Sequence, residues 1–485
     1  MLNVVWFKRD LRITDHEPLL KAVEDGIVAP LFIVEPEYWA QSTCSARQWR
    51  FVSRTLAALR TQLAVLGAPL IVRVGDAVEV LEGIRANTSE LKIWSHEETG
   101  DAFCRARHAR VSAWAQEHKV VWHETPQQGV RRCEDSRDGW IEAFDRQTSG
   151  TPLPAPDQML AHGFTPGKIV SERILYLDDD PCTDLAAGPA VARRLLRSYL
   201  ETGVETGSDG PSPHSRTVEG EPRISAHVSW GTISLREIRH QVEAEFGGRT
   251  AVPVDTIMNR LRFRTDLTQR IEDQPELETS PLHSAFSGVE YDDAPGLLAA
   301  WREGQTGLPI VDATMRALAQ TGWIEFEFRV AAMSAAVHLL RLDWRTCGPI
   351  MASLLTNYEP GVHWNMCQMA ARTTGFADRE IIDPNKTGAE IDPSCAFVRE
   401  WVPELRGLPD EMLQTPWKLS AEEQTEVNCI IGADYPAPAV DFTEAYAAAV
   451  ESQQEPRSQP GFEDETRKMR YRHISRGKAL GAAAS

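Results

Sequence analysis

The sequence lacks most of the short patterns that announce a metal, disulfide or dinucleotide site. None of its eight cysteines are spaced as C-x-x-C or at zinc-finger intervals, so they read as reduced, mostly buried thiols. Cys347, Cys367, Cys395 and Cys429 are separated by 20, 28 and 34 residues, without the clustering an iron–sulfur site usually shows. There is no G-x-G-x-x-G, so the usual dinucleotide fingerprint is missing. No apolar run approaches the ~20 residues that span a bilayer, and no membrane partner is expected. The opening "MLNVVWFKRDLR" reaches charge within eight residues, unlike a secretory signal, which makes the cytoplasm the expected compartment. Cations are the minority charge, 51 Lys and Arg against 70 Asp and Glu, a net charge of −19. That opposes non-specific attraction to nucleic acid and leaves room only for a local basic groove. Tyrosine is scarce beside tryptophan, 8 against 14, and buried indoles both pack well and relay electrons.

What the chain does have is two kinds of periodicity, in succession. Short apolar, β-branched runs stand at 2–7, 27–34, 70–74, 91–95 and 119–123. Helical patterns lie between them at 16–25, 46–66, 76–86 and 100–117, clearest in "RQWRFVSRTLAALRTQLAVL". Strands alternating with helices predict an α/β domain, a doubly wound parallel sheet, over 1–130. Residues 131–188 carry proline and glycine and read as an interdomain linker. From 189 to 451 the strand signal fades and helical patterns dominate, predicting a large all-α domain. The polar stretch 452–485 is expected to be a mobile tail.

Four stretches could carry chemistry. "RISAHVSWGTIS" (223–234) puts Ser225 at a helix start, suited to a phosphate or to simple capping. "NRLRFRTD" (259–266) sets Arg260 and Arg264 on one helix face, suited to an anion or to solvent. "EFEFRV" (325–330) places Glu325, Glu327 and Arg329 in an apolar region, where charges must pair with each other or with a ligand. "NYEPGVHWNMCQMAARTTG" (357–375) holds a lone His363 that serves as a proton donor or as a structural group.

Longer motifs then point to a family. "VVWFKRDLRITDHEPLLKAV" closely resembles the start of the photolyase/cryptochrome family, with Asp15-His16 where that family usually has Asp-Asn. "AAWREGQTGLPIVDATMRALAQTGW" (299–323) and "DPSCAFVREWVPEL" (392–405), followed by "TPW", are further matches in the right order. "RISAHVSWGTIS" resembles the segment that holds the flavin diphosphate. A bacterial branch with D-Y-E-P-G-I-H before Q-M-Q-x-x-T-T-G looks most similar.

The resemblance implies FAD folded up within the helical domain and blue-light-driven electron transfer. It also allows an antenna chromophore of folate or deazaflavin type near the α/β domain. Arg223 and Ser225 fall on the phosphate segment, and Arg264 matches an arginine that meets the phosphates. Arg329 matches an arginine near flavin N5 that normally pairs with an Asp. That Asp falls near Asn357, which makes Glu359 the expected partner. His363 falls within a residue or two of the N5-facing position.

The departures matter as much. Photolyases that split cyclobutane dimers usually carry "E-L-I-W" where this chain has Arg260, Leu261, Arg262 and Phe263. Their lesion-facing Asn corresponds to Phe326. Trp344 matches the middle of the usual three-tryptophan relay and Tyr291 aligns with the outer member. Met or Gln stands at the flavin-proximal position; should Trp344 not conduct, Trp323 and Trp364 are the candidates for another relay. His363, Trp344, Tyr291 and Arg260 are therefore the catalytic candidates, with Arg223, Ser225, Arg264, Arg329, Asn357, Glu359 and His363 as cofactor ligands. The expected activity is that of a photolyase-like lyase, probing DNA with pyrimidine photoproducts as a monomer. The alternative is a blue-light photoreceptor without repair.

Overall fold

The computed structural model describes residues 1–132, 136–160, 162–178, 180–202, 224–246 and 252–474. The five apolar runs form β1 (Leu2–Phe7), β2 (Ile27–Val34), β3 (Ile71–Val74), β4 (Leu91–His96) and β5 (Val121–Thr125). They pair in parallel in the order β3-β2-β1-β4-β5. β1 sits at the centre, every residue buried, as its unbroken apolar run requires. β2 tolerates Pro30 because pairing with β3 begins one residue later, at Leu31, so the missing N–H faces no β3 partner. The intervening helices are Glu17–Asp25, Ala46–Val65, Ala77–Arg85 and Ala102–Glu117. Asp76 and Asp101 cap two of them through side-chain acceptors. This is the doubly wound domain the sequence predicts.

The chain adds β2 and β3 on one side of β1, then returns to add β4 and β5 on the other. The segments leaving β1 and β4 therefore part at their carboxyl ends, where such sheets open a ligand crevice. A narrow crevice lies there, lined by Lys8, Asp10, His96, Glu98, Gln127 and Gln128 among others.

The connection after β5 wraps the α/β domain. Met159 donates to Leu66 O (2.6 Å) and Val72 to Pro166 O (2.7 Å). Asp180 pairs with Arg47 at 2.6 Å. After Thr125 the described residues contain no further strand, and the helical domain follows as expected. No described helix is long and apolar enough to cross a membrane. The stretch after 452, expected to be mobile, continues as helices Gln454–Ser458 and Phe462–His473. Phe462 is buried against His283, and Arg457 pairs with Asp378 at 2.7 Å. Polar composition hid two anchor side chains, which is enough to dock a short helix. Residues 475–485 lie outside the described residues.

Two helices decide where the site falls. Val252–Asp273 and Pro360–Ala370 cross so closely that a Cβ on Gly361 would stand 2.6 Å from Thr268 Cα. Asn365 Nδ2 donates to Leu267 O (2.9 Å) at the same crossing. Backbone lies on the far side, so no side chain can move away. Gly361→Ala should lower unfolding stability by about 1–3 kcal/mol, measurable by urea denaturation. Unchanged stability would mean that the two helices are not in contact.

Candidate functional site

Pro360 can start a helix because its missing N–H would have no partner there. The helix thereby begins immediately after Glu359, and the segment 356–359 is drawn under the Ser225–Ser229 turn. Trp230 Nε1 donates to Thr356 O (3.1 Å), and Ser229 Oγ to Asn357 O (3.1 Å). Three candidate residues from distant segments meet at this point. Ser225 Oγ accepts from Asn357 Nδ2 (2.8 Å) and from Trp323 Nε1 (2.9 Å). Asn357 Oδ1 in turn accepts from Arg329 Nη2 at 3.3 Å. Arg329 also donates twice to Ile324 O, at 2.9 and 2.7 Å.

The expected Arg329–Glu359 pair is not made. Glu359 holds Arg264 Nη2 at 2.7 Å and accepts from Thr268 Oγ1 at 3.1 Å. Arg264 lies on the Val252–Asp273 helix, one turn before Thr268, so Gly361's close approach puts Glu359 beside it. Nor do the charges of "EFEFRV" pair among themselves. Glu327 reaches Arg379 (2.8 Å), and Arg329 is left with neutral oxygen acceptors. Burial acts on Arg329 alone and lowers its pKa to about 10.

His363 is buried in the next turn. Nε2 donates to Gly348 O (2.9 Å), with Cys367 Sγ 3.5 Å from the same nitrogen. Its ring sits between Tyr358 (5.5 Å) and Trp364 (5.2 Å). Burial, and more weakly Arg329, lower its pKa to about 3. The ring thus offers an N–H to Gly348 and a lone pair at Nδ1. That Nδ1 is buried and unpartnered, as is Tyr358 Oη.

The relay candidates separate. Trp364 meets Trp344 edge-on at 6.1 Å, both buried. The Arg345 guanidinium lies over Trp344 (5.8 Å) and over Tyr291 (5.7 Å). Tyr291, Trp344 and Trp364 thus form one connected set, with Trp344 in the middle. Trp323 belongs instead to the Ser225 network. Arg260 is exposed on its helix, three residues before Phe263. Arg223 lies outside the described residues.

The sequence reading missed a second polar centre. Asp10 Oδ2 accepts from His16 Nε2 (3.0 Å) and His96 Nδ1 (2.8 Å), all three buried at the head of the crevice. This triad has metal-ligand spacing, but its hydrogen bonds oppose a metal. His16 Nδ1 accepts the Leu19 amide (3.1 Å), so the ring proton sits on Nε2 and points at Asp10. The unusual His16 noted in the sequence therefore caps its helix and fixes Asp10. Beside it Arg107 pairs with both Glu35 and Glu98, and Lys8 stands 3.9 Å from Glu98 and Glu124. The signal available was "KRD" directly after a buried strand.

The central donor set suits FAD. It offers a serine hydroxyl, an amide and a guanidinium without an acid to a ligand rich in acceptors and able to carry charge, and an unpartnered imidazole nitrogen to that ligand's N–H. Ser225, Arg329, Asn357 and His363 are the residues that would hold it.

Buried neutral imidazoles give the chain an acid liability. Burial lowers His363 and His96 to about 3 and His227 and His338 to about 4, against roughly 6.5 unfolded. Their contribution to stability is complete above about pH 6.5 and is lost as pH falls through these folded values. Unfolding near pH 5 should take up about four protons from them, and the H363Q variant about one fewer. Stability curves against pH with the same slope for both proteins would show that His363 is not held neutral.

Comparison with known proteins identifies the family. Residues 3–145 match the family described as DNA photolyase, and residues 257–455 the FAD binding domain of DNA photolyase. The chain is 27% identical over 483 residues to the deoxyribodipyrimidine photo-lyase of Escherichia coli, covering 91% of this chain and 96% of that one. It is 25% identical to the cryptochrome DASH of Natronomonas pharaonis, covering 91% and 98%. The fold superposes on a bacterial class III photolyase from Agrobacterium tumefaciens with a TM-score of 0.82 at 22% identity, covering 94% and 98%. Family matches to both domains and relatives spanning both carry one conclusion: the chain belongs to the photolyase/cryptochrome family.

Proposed function

We propose that this chain is a blue-light-driven flavin enzyme that lends an electron to a damaged pyrimidine in DNA and recovers it once the dimer bond has broken. The observation that carries this reading is an aromatic pair, one ring exposed, beside a cation. Phe263 is 37% exposed and meets the half-buried Phe326 edge-on at 5.7 Å. Arg260 lies one helical turn away on the same face. Aromatic faces stack on bases, and a guanidinium holds a phosphate or a base carbonyl. A lesion flipped out of the duplex finds both there.

Bound FAD would supply light absorption and the transferable electron. The protein's share is positioning. Ser225, Asn357 and Arg329 hold the ligand, and neutral His363 adds no second positive charge beside Arg329. Trp364, Trp344 and Tyr291 carry electrons inward from the surface to restore the reduced state. The crevice at Lys8, Asp10 and His96 is the place for a light-gathering chromophore of folate or deazaflavin type.

A photoreceptor without repair is the second reading. Arg260, Phe263 and Phe326 replace the lesion-contacting set of familiar photolyases, and a net charge of −19 weakens DNA attraction. Oligonucleotides carrying either cyclobutane dimers or (6-4) products, incubated with the reduced flavoprotein under blue light, separate the two. Loss of either lesion is the expected result. Persistence of both, with the flavin still photoreducible, would leave the photoreceptor. Replacing Trp364 or Trp344 by Phe should slow photoreduction at least ~10-fold, since each indole removed widens the gap an electron must cross. Flash kinetics equal to wild type in W364F would exclude it from the relay.

A further inference from the structure

The last described helix, Phe462–His473, is divided by charge. Its first turn holds Glu463, Asp464 and Glu465. From Thr466 to Ile474 the chain carries Arg467, Lys468, Arg470 and Arg472 and no acid, against a net charge of −19 overall. Phe462, Thr466 and His473 form the docked side, at helical spacing. Arg467, Lys468, Arg470 and Tyr471 face solvent. Arg472 is engaged near the docked side, where it donates to Asp273 O. The helix dipole favours cations in the last turn, but it does not explain Arg467 and Lys468 a turn earlier. Nor do local acids neutralise this side. Glu465 is taken by the Ser284 N–H (2.7 Å) and hydroxyl. Arg467 has only the exposed Asp464 (3.3 Å), a pairing that water weakens. Arg470 has no ion pair among the described residues.

The helix adjoins the Phe263–Phe326 pair by two routes. The His473 ring lies parallel to Phe376 at 5.8 Å. Phe376 sits in a turn closed by Asp378, which accepts from Thr374 N–H (2.9 Å) and Oγ1 (2.7 Å). The next residue, Arg379, holds Glu327 at 2.8 Å, directly after Phe326. The second route is the Val252–Asp273 helix, which carries Arg260 and Phe263 and meets the last helix at Asp273. Arg260 and Asp273 are 13 residues apart, about 20 Å along a helix, the rise of roughly six base pairs.

We propose that Arg467, Lys468 and Arg470 form a second DNA contact, gripping backbone phosphates about six base pairs to one side of the flipped lesion. This rests on the reading that Arg260, Phe263 and Phe326 receive that lesion. Lysine and arginine neutralise phosphates without reading sequence, and the Tyr471 hydroxyl suits the same backbone. An amphipathic membrane helix turns its apolar side outward. Here that side is turned to the protein, which favours a duplex.

The test is equilibrium binding of the full chain, in the dark, to duplexes carrying a cyclobutane dimer or a (6-4) product. The flanks are about three or about ten base pairs long, and salt runs from about 50 to 200 mM. Wild type should bind the long duplex at least ~10-fold more tightly. The triple variant Arg467→Gln, Lys468→Gln, Arg470→Gln should lose that preference, with a salt slope shallower by about 2–3 on the long duplex. Its affinity for the short duplex should stay within ~2-fold of wild type. Unchanged long-duplex affinity and slope overturn this inference alone, and so does an equal loss on both lengths, which would place the cations at the lesion. Weaker binding to phosphatidylserine vesicles with DNA affinity unchanged would assign the helix to a membrane surface and overturn it as well. Wild type binding neither lesion better than undamaged DNA overturns the underlying reading and this inference with it. All three side chains are exposed, so the variant should melt within ~2 °C of wild type. If it melts lower, wild type decides by itself: equal salt slopes on short and long duplexes refute the second contact.

Discussion

A guanidinium taken out of water without a counter-ion is the constraint around which the helical domain is arranged. An isolated buried charge costs several kcal/mol after relaxation. Arg329 is held only because three segments close on it with neutral dipoles. The helix that carries it supplies the position, Ile324 turns its carbonyl back, and Asn357 lends an amide oxygen. Asn357 can do so because Pro360 starts a helix immediately after Glu359, and Glu359 is occupied by Arg264. One acid satisfying one arginine thereby leaves the other unsatisfied. The contact at Gly361 fixes this choice, since it brings Arg264, and not Arg329, to the Glu359 carboxylate.

The two domains are joined by the same economy of charge. Arg9, leaving β1, donates to Tyr358 O (3.0 Å) next to the site and to Tyr38 Oη (2.9 Å) in its own domain, and lies over Trp230 at 4.2 Å. One side chain thus ties the switch-point crevice, the Ser225–Ser229 turn and the Asn357 segment. Any group bound in the crevice sits on the same rigid unit as the helical-domain site, a geometry suited to passing excitation between them.

Much of the architecture was legible because it follows local patterns. Unbroken β-branched runs between amphipathic helices specify a buried parallel sheet, and the loss of those runs specifies a helical domain. Ser225, Asn357 and Arg329 were recognisable through motif resemblance, and the structure brings them together. Pairings across long stretches of chain were not legible. Nothing near Glu359 in sequence says that Arg264, 95 residues earlier, claims it before Arg329 does. His363 was legible as an oddity, but its neutrality comes from burial by Tyr358, Trp364 and Gly348, which only packing reveals. The Asp10–His16–His96 cluster depends on strand order, because β1 and β4 are neighbours only after the chain has reversed direction across the sheet.

The most direct test is a structure of the protein loaded with reduced FAD. The account predicts the isoalloxazine ring within hydrogen-bonding distance of the Arg329 guanidinium, with Asn357 at its edge and the Arg264–Glu359 pair intact. A ring bound elsewhere, or an Arg329 that turns to a carboxylate while the flavin is in place, would contradict it.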